Sequence, residues 1–347
     1  MAAYISFQPS DYFNTTLYTG TALSNAITGV GFQPDMTWLK SRGVTAYHYV
    51  FDTARGATKG IFPNDTDEEA TNAEYLKSWE SDGFTLGTNT AINGDTNTYV
   101  SWNWKGGTTS GITTDGSTTI TPSGYSFNTT SGFSAITYTG NSTSGAGLAH
   151  GLGVKPDFLA MKKLNSAGDN WQIYHQSVGY SNSGDLAWNG TSGQGTQTNF
   201  SGEPDATNIF LGGNTINNGN TDTFICYAWA SKNGFSKISN YTGNGNADGA
   251  FVYTGFKPGF ILIKRYNSSG AWVMFDSKRN GYNADNKYLV CNTIAAGGVG
   301  TYFNILSNGF KPLTTDGEWN GSGDSYLYMA FAESPIVSSN DVPAVAR

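Results

Sequence analysis

The run Tyr99-Val100-Ser101-Trp102-Asn103-Trp104 alternates, with Val100, Trp102 and Trp104 on one side and Tyr99, Ser101 and Asn103 on the other. That is the period of a β-strand. Two later runs, Phe224-Ile225-Cys226-Tyr227-Ala228-Trp229 and Tyr326-Leu327-Tyr328-Met329-Ala330-Phe331, are apolar on both sides. They predict strands with one face in a core and the other against a neighbour. Phe260-Ile261-Leu262-Ile263 is of the same kind. Asp82-Gly83 leads into Phe84 and Leu86, and Asn308-Gly309 leads into Phe310. Both dipeptides predict type I′ hairpins, whose two central residues need positive φ. Ala206-Thr207-Asn208 stands at the corresponding place in the middle of the chain and predicts a different loop. One helical pattern, Asp67 to Trp79 through Ala70, Ala73 and Leu76, predicts a short helix against its Thr and Asn content. Short apolar runs separated by turn signals every 8–12 residues or so predict an all-β sandwich or barrel.

The strand pattern is written three times. Gly31-Phe32-Gln33-Pro34-Asp35 returns as Gly153-Val154-Lys155-Pro156-Asp157 and as Gly255-Phe256-Lys257-Pro258-Gly259. Each copy runs on to a lysine six positions after the proline: Lys40, Lys162 and Lys264. A Tyr-Thr-Gly triplet precedes each copy, at Tyr18, Tyr138 and Tyr241, and the aromatic strand closes it. The prolines lie 122 and 102 residues apart. That spacing is too long for solenoid units and fits small whole domains. The expected architecture is three tandem antiparallel β-sandwich modules over 1–107, 120–231 and 232–336, with an extended tail over 337–347. Gly106 through Thr119 reads as a flexible joint, whereas the second and third modules meet almost without a spacer.

Composition narrows the functional classes. Lys and Arg number 19 against 26 Asp and Glu, a net charge of −7, which disfavours a nucleic-acid backbone or an anionic membrane as partner. No apolar run reaches the length of a membrane span. Met1 to Ser6 lacks the basic and apolar regions of a secretory signal. The two cysteines, Cys226 and Cys291, read as buried thiols, with one inter-module disulfide as the alternative.

Candidate chemistry is sparse. The acidic run Asp65-Thr66-Asp67-Glu68-Glu69 lacks the glycine and distal glutamate of an EF-hand loop. It reads as a solvated loop or helix start, with calcium as a possibility that no specific motif supports. His48, His150 and His175 have no metal-ligand spacing. There is no phosphate-binding Gly-Lys-Ser/Thr and no Gly-x-Ser-x-Gly elbow. Nor is there a paired-carboxylate string of the kind a sandwich-fold glycosidase needs. No catalytic residue, metal site or cofactor is therefore assigned. The pairs Asp52/Arg55 and Asp276/Arg279 read as structural, fixing the loop after a strand, with partner binding as the alternative. Lys40, Lys162 and Lys264 are expected to lie along the sheet with the ammonium reaching solvent or an acid. Sugar recognition needs a flat aromatic beside amides and carboxylates. The loop-placed candidates are Trp171, Trp188 beside Asp185, Trp272, and Trp319 beside Asp316.

Several segments resemble the repeated concanavalin-like or laminin-G-like modules in structural proteins of marine tailed bacteriophages. They are Gly31 to Asp35 with Trp38 and Lys40, Phe51-Asp52-Thr53-Ala54-Arg55-Gly56, Ser81 to Gly87, Tyr99 to Gly107, and the ending Ala330 to Arg347. The middle module departs, with Tyr174-His175-Gln176-Ser177-Val178-Gly179 where the Asp/Arg pair would stand. The resemblance implies a virion protein: a tail fibre or adhesin contacting a host surface glycan or receptor. A head decoration or tail-assembly component binding other virion proteins is the alternative, and a surface-glycan hydrolase a minor one. It further implies a homo-oligomer, with a trimer expected; read with the N-terminal pattern above, the expectation is a protein made in the host cytoplasm and carried in the particle.

Overall fold

The computed structural model describes residues 7–196, 198–279, 283, 286–334, 336–337 and 343–344. Met1–Ser6, Pro335 and most of the expected tail lie outside the described residues. The fold is all-β, in antiparallel sheets with, among the described residues, one parallel strand pair, Thr118–Ile120 with Ala146–Ala149.

Each repeat builds one large sheet with the same internal order. The strand that ends in the Tyr-Thr-Gly run pairs with the closing aromatic strand, which pairs with the proline-led strand, which pairs with the next aromatic strand. In the first repeat these are Phe13–Thr19, Thr98–Trp104, Met36–Ser41 and Tyr49–Asp52. In the second they are Phe133–Thr139, Thr223–Trp229, Phe158–Lys163 and Gln172–His175. In the third they are Ser236–Thr242, Ser325–Ala332, Pro258–Arg265 and Trp272–Asp276. A small three-stranded sheet faces each large one.

The period-two pattern separates two cores. Leu159, Met161, Cys226 and Ala228 point to the second repeat's own small sheet, while Phe158, Ala160, Tyr227 and Trp229 on the same strands point the other way. The third repeat divides alike, Ile261 and Tyr328 from Phe260 and Met329. The inward faces of all three large sheets meet in one shared core. Trp38, Trp102, Trp104, Trp171, Trp188, Trp229 and Trp272 are all fully buried there. Rings from different repeats touch directly, with centroids 4.9 Å apart for Trp38 and Trp188 and for Phe13 and Phe331. Each such ring adds about 1.5–3 kcal/mol of burial. The repeats are therefore three sandwiches closed around a common centre.

The triplets have a structural reason. Tyr18, Tyr138 and Tyr241 donate their hydroxyls to the carbonyls of Ile92, Asn217 and Trp319. Each acceptor precedes a buried asparagine, Asn93, Asn218 or Asn320, whose side chain ties the neighbouring loops. The triplet glycine lets that turn approach: a Cβ on Gly20, Gly140 or Gly243 would lie 2.1–2.3 Å from a carbonyl oxygen.

Several expectations are corrected. Asp67 to Trp79 is not a helix but the strands Ala70–Thr71 and Leu76–Glu80 joined by a turn. The hairpins at 80–83 and 306–309 exist, but their loops are Ser81-Asp82 and Ser307-Asn308, without positive φ. The glycines that follow are needed for contact: a Cβ on Gly83 or Gly309 would strike the carbonyl oxygen of Ile27 or Val252. The joint after the first repeat is pinned at its start. Gly106 N–H donates to Asp35, Gly107 N–H to Ser126, and Thr108 pairs with Phe127. Both cysteines are free and buried, so no disulfide joins the repeats.

Candidate functional site: the seams between repeats

The shared core is sealed by three seams that use the same atoms in cyclic order. Lys40, Lys162 and Lys264 do not reach solvent or an acid. All three are fully buried, and each ammonium crosses to the next repeat's backbone. Lys40 Nζ donates to the carbonyls of Ser41 and Ile294, Lys162 Nζ to Thr66 and Asp169, and Lys264 Nζ to Thr191 and Gly270. The first repeat thus grips the third, the second grips the first, and the third grips the second. Burial pushes each lysine down to about 8. The acidic run 65–69 supplies one of the gripped loops.

A ring N–H repeats the order. Trp171 Nε1 donates to Phe62 O at 2.9 Å, and Trp272 Nε1 to Ala187 O at 2.7 Å. In the first repeat His48 takes that place, its Nε2 lying 3.1 Å from Val290 O. Trp38 Nε1 donates to His48 Nδ1, which leaves Nε2 as the protonated nitrogen. Burial, then Lys40, hold His48 well below the ordinary histidine range. Paired backbone bonds close each seam: Ala46 N–H to Ile294 O with Gly297 N–H to Arg42 O, Gly168 to Thr66 with Glu69 to Leu164, and Gly270 to Thr191 with Gln194 to Tyr266.

The third device explains the departure in the middle repeat. Asp52 accepts from Arg55 Nε at 2.6 Å and from the hydroxyl of Tyr227 at 2.5 Å. Asp276 accepts from Arg279 Nε at 2.5 Å and from Trp102 Nε1 at 3.1 Å. Tyr227 and Trp102 hold the same register position in their closing strands, opposite Ala160 and Trp38. The third closing strand has Met329 there, opposite Leu262. The second repeat correspondingly has His175 and Val178 in place of the Asp and Arg, and His175 lies beside the Tyr328 backbone. Where the donor becomes apolar, the buried ion pair is gone too, as desolvation requires.

The expected sugar platforms are corrected by the same geometry. Trp171, Trp188 and Trp272 belong to the shared core, and Trp319 packs in the third repeat's own core against Tyr302, Phe303 and Phe275. None presents a ring face to solvent. Asp185 and Asp316 are exposed, and Asp316 Oδ1 accepts from Glu318 N–H to hold its own turn. Asp52, Arg55, Asp276 and Arg279 are buried in the seams. Sequence spacing alone missed the seams, because their acceptors are backbone carbonyls of no fixed residue type. The one signal was the invariant distance from proline to lysine. Among the described residues the aromatics that remain exposed are Tyr47, Phe251 and Tyr253, and no three His, Cys, Asp or Glu side chains come together to hold a metal ion.

Fold and seams together define an all-β protein of three interlocked repeats, and among the described residues no helix is long and apolar enough to cross a membrane. The chain belongs to the family described as domain of unknown function DUF7483, whose profile matches residues 8–335. That match runs through all three repeats. No curated protein and no solved structure is similar to it.

Proposed function

We propose that the chain is a structural protein of a bacteriophage particle, a tail fibre or adhesin component that contacts the host surface. The observation that carries this reading is the closed set of seams. The buried cations and rings of the seams, Lys40, His48, Lys162 and Lys264, hold backbone carbonyls across them, so the polar chemistry there is mechanical. Heterologous contacts that close on themselves form a ring, here within one chain. Such a body has threefold character without needing a homotrimer, and self-association must use surfaces other than the seams. The phage-like segments quoted above fall on these working parts: the proline-led strand with Trp38 and Lys40, and the Asp52/Arg55 loop.

Immunogold labelling of intact particles tests the reading. Label on the tail tip or fibres is the expected result. Label on the head would replace the fibre by a decoration role, and particles without label would end the virion assignment.

A further inference from the structure

We propose that the outer face of the small sheet in the third repeat binds hexopyranose rings of a cell-surface polysaccharide, with Phe251 and Tyr253 as the stacking platforms. The proposal rests on the adhesin reading and gives it a site. Val252–Tyr253, Gly309–Pro312 and Phe303–Leu306 form this sheet. Val252 points into the core, so Phe251 and Tyr253 on either side of it point out. They are 48 % and 58 % exposed and stand about 7 Å apart along the strand.

Both rings are held rather than loose. Tyr253 pairs with Gly309, and a Cβ on that glycine would lie 3.0 Å from Phe251 Cε2. The edge of the Phe251 ring therefore rests over the glycine, and the residue stays about half exposed. Lys237 Nζ donates to Tyr253 O at 2.9 Å and sits over the Tyr253 ring, 5.2 Å from its centroid. Polar groups surround the rings. Asn308 accepts from Thr254 and Gly255 N–H through its carbonyl, which fixes it beside Tyr253, and its side chain is exposed. Asp248 pairs with Lys311 on the same sheet and keeps its carboxylate open to solvent. An apolar face flanked by an amide and a carboxylate is what a sugar ring requires.

The aromatics are not a requirement of the fold. By strand register the first repeat has Ala26 and Thr28 at these positions, and the matching strand of the second repeat is Ala146-Gly147-Leu148-Ala149. Those sheets form without an aromatic there. Two rings rimmed by charges are also too small for the core of a stable protein interface, which takes roughly 800 Å² per partner.

The test is a microarray of bacterial O-antigen and capsular polysaccharides probed with the full chain. The wild type is expected to retain a subset of polysaccharides, and F251A/Y253A to lose binding at least tenfold with an unchanged melting temperature. N308A reads the same face without altering either ring and is expected to weaken binding severalfold. A wild type that retains no polysaccharide, or binding undiminished in both variants, overturns the proposal. Particle labelling is independent of the array, so a null array with labelled fibres sinks this site alone.

Discussion

The hydroxyl of Tyr227 lies 2.5 Å from Asp52 Oδ2 across the seam between the second and first repeats. Asp52 also holds Arg55, and all three groups are buried. Tyr227→Phe removes one donor from a buried carboxylate, an expected loss of about 1–3 kcal/mol. Arg55→Val alone strands the carboxylate and is expected to cost about 3–5 kcal/mol. The triple change Asp52→His, Arg55→Val, Tyr227→Met writes the seam between the second and third repeats into the one between the first and second. It is expected to be less damaging than Arg55→Val, a non-additivity that urea unfolding of the three variants measures.

The seam lysines give an alkaline signature. Their folded pKa of about 8 lies below the ordinary 10.5, so between those values the unfolded chain holds more protons. Stability is expected to rise from pH 8 towards pH 10, by at most about 1.4 kcal/mol per pH unit for each lysine. The buried tyrosines act in the opposite sense. Tyr18, Tyr138, Tyr227 and Tyr241 are raised well above 10.0 by burial, so above pH 10 the unfolded state ionises first and stability falls. Denaturation midpoints from pH 7 to 11 should show a maximum near 10. Lys40→Met, Lys162→Met and Lys264→Met together should flatten its rising side.

Acid works through the histidines. His150 and His175 are lowered from 6.5 to about 4 by burial. Their contribution is complete above pH 6.5 and is lost as pH falls towards 4, at most roughly 3 kcal/mol for each. His175→Gln should reduce the slope of stability against pH in that window, measured by thermal unfolding.

The triplet glycine separates contact from conformation. Gly140→Ala places a Cβ 2.3 Å from Gly219 O, against backbone that cannot give way. It is expected to destabilise by several kcal/mol, beyond the usual range for single substitutions of about 0.5–3. Gly56→Ala meets nothing within 4 Å and suffers only its φ of +94°, an expected cost of roughly 1–2 kcal/mol. Paired denaturation curves would show the difference.

Much of this protein was legible along the chain. The period-two runs marked the strands, and the repeated proline phrase marked where each large sheet begins, because both signals are local. The hairpins were legible too, but for the wrong reason: Gly83 and Gly309 answer to a neighbouring strand that no dipeptide rule contains. The tryptophans misled for the same cause. Trp188 beside Asp185 and Trp319 beside Asp316 look like loop platforms in a linear string, yet each is enclosed by packing from residues distant in the chain.

By itself the sequence determined an all-β chain of three alike parts, through alternation, turn residues and spacing. Tertiary structure decided how those parts meet. A strand that is apolar on both sides says that a second partner exists, but not which one. Only the closure of three sheets on a single core turns Lys40, Lys162 and Lys264 inward, assigns Asp52 to Tyr227 and Asp276 to Trp102, and leaves Phe251 and Tyr253 outside. Burial is a property of the assembled surfaces, so the same residue types could not reveal it singly.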